Sequence, residues 1–170
     1  MILKTIRGKT PYYSENCFFA DTSVVVGDVV MGRDCSVWYH AIVRGDVNSI
    51  QIGDQVNIQD GAVIHATYQK FSTTIGNRVS IGHNAIVHGC TIHDNVLIGM
   101  GAIVMDGCVV ESNSIIAAGA VVTQGTNVPS GTIFAGVPAK KKKDISVELA
   151  KGEIERIVKN YVTYADWFRQ

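Results

Sequence analysis

The sequence predicts an all-β solenoid, short parallel strands wound into triangular coils, with one α-helix at its C-terminal end. Three observations carry this. A large aliphatic or aromatic residue recurs at six-residue intervals, with a few insertions, from Phe19 to Phe134. A small or β-branched residue stands four places after nearly every one of them. Glycines recur at the expected corners, at Gly27, Gly32, Gly53, Gly76, Gly82, Gly99 and Gly119, where freedom from a Cβ eases the turn. A period of six suits a short strand and a tight turn. Three such strands make a coil of about eighteen residues, and stacked coils bury one continuous apolar interior.

Residues 1–18 precede the repeat and are expected to cap the first coil. The large positions then run Phe19, Val25, Met31, Val37 and Val43, followed at the fourth place by Ser23, Val29, Cys35, Ala41 and Val47. Three residues are inserted before Ile52, Ile58 and Ile64, and five more before Ile75, Ile81 and Val87. One residue is skipped before Ile92, and Ile98, Val104, Val110, Ile116, Val122, Val128 and Phe134 continue the series. Tyr68 breaks the small-residue pattern and falls in the five-residue insertion, which reads as a loop. The repeat thus occupies residues 19–139 and stops at Gly136-Val137-Pro138-Ala139-Lys140. Residues 140–170 read as a connector and a helix, the helix covering roughly Ser146 to Phe168. There Val147, Ala150, Ile154, Ile157, Val158, Tyr161, Ala165 and Phe168 recur at three- and four-residue spacing. Ser146 or Asp144 is expected to cap it. Its apolar stripe should lie on the solenoid or on a neighbouring subunit.

Composition narrows the function. The chain has 170 residues, 46% hydrophobic and 18% charged, which describes a folded domain with a real core. Fifteen basic and fifteen acidic residues cancel, so no global field favours nucleic acid or an anionic membrane. The run Lys140-Lys141-Lys142-Lys143 reads as a solvated connector. No apolar run approaches the ~18 residues of a membrane span. Met1 to Thr10 carries Lys4, Arg7 and Lys9 and no apolar core of a signal peptide, so a cytoplasmic chain is expected. The four cysteines form no C-x-x-C pair. Cys35 and Cys108 fall on inward positions, and neither disulfides nor a thiolate-held metal are expected.

Counting every third large position assigns residues to faces. Val43, Ile64 and Val87 share one face, so Arg44, His65 and His88 form a column with a spacing of about 4.8 Å. Ile58 and Ile81 share another face, and Asp60 and His83, two places further on, stack there. His65 and His88 are therefore neighbours, and His83 belongs to a different column. Zinc takes three or four protein ligands, so two histidines are an incomplete set. A cyclic trimer sets one face of a subunit against another face of its neighbour, where His83 of one could complete the pair of the next. Three histidines with an open fourth position is an arrangement that activates water.

Arg44-Gly45-Asp46, Asn57-Ile58-Gln59-Asp60, His65 and the His83-x-x-x-x-His88 pair resemble the signature of the γ-class carbonic anhydrases. The hexapeptide pattern resembles that of the left-handed parallel β-helix superfamily, and the likeness covers about residues 19–139. Left-handedness is what the resemblance implies; the general crossover rule gives the opposite hand. The resemblance also implies reversible hydration of carbon dioxide to bicarbonate by a metal-bound hydroxide at a homotrimer interface. His65, His83 and His88 would bind zinc, or iron or cobalt. Gln59 would orient the bound water or bicarbonate, and Asn57 would support that network. Arg44, Asp46 and Asp60 would hold the interface and approach the site.

The pattern departs from the archaeal prototype of the family at three places. Val47 stands where the prototype has a glutamate. The loop Ala66-Thr67-Tyr68-Gln69-Lys70 lacks its proton-shuttling carboxylate. Phe134 and Gly136 align with a tyrosine and an asparagine. The chain thus resembles a shuttle-poor branch, in which hydration is often weak. A hexapeptide acyltransferase using acetyl-CoA shares the same solenoid and the Gly-Val-Pro-Ala ending, and would use a histidine as general base. A non-catalytic trimeric metal-binding scaffold and a thioester hydrolase are further readings. Arg44 and Asp60 have a purely structural reading as an interface ion pair, Asp46 as a turn residue and Gln59 as a satisfied interface amide. His40 and His93 read as solvent-facing.

Overall fold

The six-residue repeat winds into a left-handed parallel β-solenoid of about seven turns with a single C-terminal helix, in a computed structural model that describes residues 1–169. Gln170, the last residue of the C-terminal segment, lies outside the described residues. One face of the solenoid is an eight-stranded sheet. The other two faces are joined into a twelve-stranded sheet by Val24–Met31 and Ile42–Ile52, strands long enough to run round a corner. The three residues inserted after Val47 are therefore no turn between coils but part of the eleven-residue strand Ile42–Ile52. The five-residue insertion is a loop, pinned by a bridge between Thr67 and Phe71.

The inward positions form the core. Every large position from Val25 to Phe134 is buried, and Ile58, Ile64, Ile81, Val87, Ile98 and Val104 are wholly so. At roughly 1.5–3 kcal/mol for each fully buried aliphatic side chain, this column is the main source of stability. Of the small positions, Val47, Tyr68, Thr91 and Thr126 are not buried. Cys90 takes the inward place that Thr91 leaves, because one residue is skipped before Ile92.

The corner glycines have a different reason from the one expected. Only Gly27 and Gly119 among them have positive φ, at 80° and 66°. Left-handed corners are taken by other residues as well, and one corner column is held by Asp34, Gln55, Arg78, Asn95 and Asn113 in successive coils. Gly32, Gly53, Gly76, Gly82 and Gly99 are required because the next coil passes too close. A Cβ on Gly32 would stand 2.2 Å from Asp54 Oδ1, and one on Gly53 2.6 Å from Asn77 Oδ1. Those same acceptors tie coil to coil: Arg33 N donates to Asp54 Oδ1 at 2.9 Å and Asp54 N to Asn77 Oδ1 at 2.9 Å.

At the N-terminal end Ile2–Lys4 and Tyr12–Tyr13 extend the sheet by pairing with Val24–Met31. At the other end the lysine run is not a plain connector. Lys140–Asp144 is a strand that returns antiparallel along Thr132–Ala135, fully exposed, and closes the sheet edge with charge.

Ser146 caps the helix, its Oγ accepting from Leu149 N at 3.2 Å. The expected regular α-helix is interrupted: Val147–Leu149 is followed by six residues of π-helix, Ala150–Glu155, and then α-helix Arg156–Trp167. The wider turn shifts the stripe, so Val147 is exposed while Ile154, Val158 and Ala165 are buried. The helix docks on its own solenoid. Trp38 receives Tyr161 at 5.3 Å and Phe168 at 5.4 Å between ring centroids, and Phe18 packs beneath. No helix of the described residues is long and apolar enough to cross a membrane.

Candidate metal centre

Val63–His65 and Ile86–His88 are parallel neighbours with His65 opposite His88. Strand alternation sends Ile64 and Val87 inward and turns both imidazoles outward from the same face. His65 Nδ1 stands 3.1 Å from His88 Nε2. The remaining nitrogens each meet a carboxylate: His65 Nε2 lies 2.9 Å from Asp46 Oδ1, and His88 Nδ1 lies 2.6 Å from Asp106 Oδ1. An ionised carboxylate only accepts, so each imidazole directs its N–H to its aspartate. His65 Nδ1 and His88 Nε2 then face each other as two lone pairs, which repel unless a proton or a metal ion lies between them. Two ligands of a tetrahedral zinc at 2.0–2.1 Å stand about 3.3 Å apart, so the pair fits such an ion.

Both aspartates remain anionic. Burial alone would raise the Asp46 carboxyl, but hydrogen bonds from His65 and Arg44 and the Arg44 charge outweigh it and hold the carboxyl below its usual range. Burial likewise opposes Asp106, and is outweighed by hydrogen bonds from Thr67 and His88 and by the charges of His88 and Lys70. The Thr67 bond, 2.7 Å to Asp106 Oδ2, comes from the inserted loop, whose carbonyl at Thr67 is held in turn by Asn48 Nδ2 at 3.2 Å.

Asp106 is absent from the residues that sequence reasoning selected. Its signal was the spacing: it follows His88 by eighteen residues, one coil.

Arg44 stands at the end of the column, where its strand parts from the His65 strand. Pairing with the His65 strand ends at Val43–Ile64, beyond which Arg44 runs beside Val26. Its guanidinium donates to Asp46 in the same strand. Asp46 is the residue of the pair that reaches His65.

The second column lies on the eight-stranded face. Asn57–Ile58 pairs with Ser80–Ile81, and the next turn brings Asp60 Oδ2 to 2.9 Å from His83 Nδ1, leaving His83 Nε2 free. Asn57 and Gln59 are buried at 2% and 5% exposure. Asn57 Nδ2 donates to Ser80 Oγ at 2.8 Å, and Gln59 Nε2 donates to Asn57 Oδ1 at 2.9 Å. With its amide committed, Gln59 offers its carbonyl oxygen as an acceptor. Gln59 and His83 line a groove of about 440 Å³ walled by the helix residues Tyr161 and Tyr164. Burial, then the charge of Asp60 and the neighbouring Tyr164, push the Tyr161 phenol up to about 12. A larger groove of about 730 Å³, between the helix and the corner residues Gln55, Arg78 and Asn95, contains none of these groups.

Among the described residues of one chain, no three His, Cys, Asp or Glu side chains gather as a metal-binding group. The surface carries a two-nitrogen half-site on one face and a single carboxylate-tethered histidine on another.

Residues 89–124 match the family model described as bacterial transferase hexapeptide (six repeats). The chain is 50% identical to the protein named "Probable carbonic anhydrase" of Methanocaldococcus jannaschii, across 89% of this chain and 92% of that protein. It is 40% identical to the carbonic anhydrase of Geobacillus kaustophilus, across 96% of this chain and 88% of that one. It superposes on the crystal structure of a hexapeptide transferase family protein from Anaplasma phagocytophilum with a TM-score of 0.93 and 37% identity, across 98% of both chains. Against the Arabidopsis thaliana mitochondrial γ carbonic anhydrases 1 and 2, the chain spans only 40% and 60% of their lengths.

Proposed function

The chain belongs to the γ-class carbonic anhydrase-like family of hexapeptide-repeat proteins, and we propose that it hydrates carbon dioxide reversibly at metal centres shared between subunits of a homotrimer. The observation that carries this is the facing pair of imidazole nitrogens, His65 Nδ1 and His88 Nε2, 3.1 Å apart with no third ligand among the described residues. His65 and His88 hold the ion from one subunit, and His83 completes the set from the partner subunit. Imidazole nitrogens suit zinc, and iron or cobalt as well. Such an ion, when bound, lowers the pKa of water to about 7, which makes hydroxide available near neutral pH.

The chain's own groups prepare the rest. Asp46, Asp60 and Asp106 fix the tautomers and ring orientations of the three histidines. Gln59 accepts a hydrogen bond from the attacking water through its carbonyl oxygen, turning a lone pair toward carbon dioxide. Asn57 and Ser80 hold the Gln59 amide against rotation. Arg44 keeps Asp46 ionised and in place.

Anaerobically purified protein is expected to sediment as a trimer, to carry about one metal ion per chain and to hydrate carbon dioxide. A monomer would sink the shared centre. A metal-loaded trimer without hydration would overturn the enzymatic assignment and leave a binding scaffold. Asp106→Ala should keep the fold by circular dichroism and weaken metal retention against a chelating dye by about 10–100-fold.

One observation favours a second reading. Asp60 and His83 form a His–Asp dyad with Nε2 free at a groove of about 440 Å³, the arrangement a general base needs in acyl transfer. Thermal stabilisation by acetyl-CoA, lost in His83→Ala, would support it.

A further inference from the structure

The four cysteines fall into two pairs, Cys17 with Cys35 and Cys90 with Cys108, each eighteen residues apart and therefore one coil apart. We propose that Cys17 and Cys35 are a peroxide-oxidised dithiol, closing to a disulfide that staples the first coil to the second, while Cys90 and Cys108 stay reduced. The inference does not depend on the reaction catalysed at the histidines.

Register places the first pair. Phe18–Phe19 runs parallel to Ser36–Val37 with Phe18 opposite Ser36, so Cys17 stands opposite Cys35. Phe18 N donates to Cys35 O at 2.8 Å, which fixes that alignment. Neighbouring parallel strands lie about 4.8 Å apart, inside the ~4.4–6.8 Å range of Cα separations that a disulfide spans. Both thiols occupy the same place in successive coils, Cys17 Sγ 3.2 Å from Gly32 O and Cys35 Sγ 3.1 Å from Gly53 O.

Environment divides the labour. Cys17 is half-buried near the N-terminal end of the stack, and Cys35 lies beneath it at 1% exposure. Hydrogen bonding from Cys35 lowers the Cys17 thiol, against burial and with help from Arg169. The same contact and burial raise Cys35. Cys17 is thus the attacking thiolate and Cys35 the resolving thiol. The second pair is aligned as well, Thr91 N donating to Cys108 O at 2.9 Å. Yet both of its thiols are inside the core at 2% and 0% exposure, and burial raises both.

The oxidant is a hydroperoxide. The Cys17 sulfur attacks one peroxide oxygen, the O–O bond breaks, and Cys17 becomes a sulfenic acid. The Cys35 sulfur then attacks the Cys17 sulfur, the S–O bond breaks, and the hydroxide leaves as water with the Cys35 proton. Two thiols have lost two electrons, and hydrogen peroxide has become two molecules of water. The staple forms beside Asn16, whose carbonyl accepts from Arg169 at the end of the helix, so it also firms the ground on which the helix ends.

The test treats the reduced full-length chain with hydrogen peroxide, blocks free thiols before and after unfolding, and maps tryptic peptides without reductant. The expected product is a Cys17–Cys35 linked peptide pair, two hydrogens lighter and separated by dithiothreitol. Cys90 and Cys108 should be blocked only after unfolding. Cys35→Ala, the residue that fills the small position one strand further on at Ala41 and Ala62, should stall Cys17 as a sulfenic acid that dimedone captures. Peroxide that leaves both thiols free, that carries wild-type Cys17 to a sulfinic acid with Cys35 unlinked, or that joins Cys90 to Cys108 first would overturn the proposal.

Discussion

His83→Ala is expected to lower metal affinity by about 10²-fold or more and to abolish hydration with it, although His83 shares no face with His65 or His88. The magnitude follows from sharing about 10 kcal/mol of binding free energy among three imidazoles, about 3 kcal/mol each. The fold should not suffer. His83 is half-exposed on the outer side of the turn, its one ion-pair partner among the described residues is Asp60, and neither side chain contributes to the apolar interior. Complementation gives the sharper measurement. A chain lacking His83 and a chain lacking both His65 and His88 are each unable to build a complete centre. In a ring of three, every mixed trimer restores a single complete centre, so equal mixing should recover roughly one quarter of wild-type metal. Recovery near zero, with mixed trimers verified by mass, would mean that the three histidines do not meet across an interface.

The stacking of His65 on His88 was legible because both sit one place past a core residue, and coils repeat by period. His83 was separable from them for the same reason. What the period cannot encode is which way a side chain turns once it leaves the surface. Asp106 has the same local signature as Asp54 or Asp94, a carboxylate at a corner; only the neighbouring coil distinguishes a backbone tether from an imidazole partner. Arg44 shows the converse. Counting puts it in the histidine column, but its guanidinium turns to Asp46, and Asp46 is the group that meets His65. The run Lys140–Lys143 was read by its charge, whereas its pairing uses only backbone groups, to which side-chain polarity is nearly blind. The π-helical stretch hides in a stripe that looks regular on paper, because one wide turn moves a face without changing composition.

Gly99→Ala and Gly119→Ala should separate two reasons for glycine in this solenoid. At Gly99 a Cβ would stand 2.4 Å from Ala118 N, 2.7 Å from Ala117 C and 2.8 Å from Ile116 O. All three are backbone atoms of the next coil, so no rotamer change relieves the clash and the coils must part. Overpacking costs about 1–3 kcal/mol where side chains can yield, and about 3 kcal/mol or more is expected where only backbone can move. At Gly119 a Cβ meets nothing within 4 Å, and the cost is only the left-handed φ of 66°, about 1 kcal/mol. His40 and Asn84 take corners at φ of 59° and 57°, so such a corner tolerates a side chain. Urea midpoints at one fixed protein concentration would read the difference, since association contributes to the stability of an oligomer. Equal losses at the two positions would refute close coil approach as the reason for Gly99. The direction of the damage matters for the site. A Cβ on Gly82 would press on Ile98, Gly99 and Met100, and one on Gly99 on Ile116 to Ala118. Gly82→Ala therefore strains the turn that carries His83, and should reduce bound metal. Gly99→Ala pushes toward the C-terminal end of the stack, one coil further from His83, and should leave metal bound in whatever fraction remains folded.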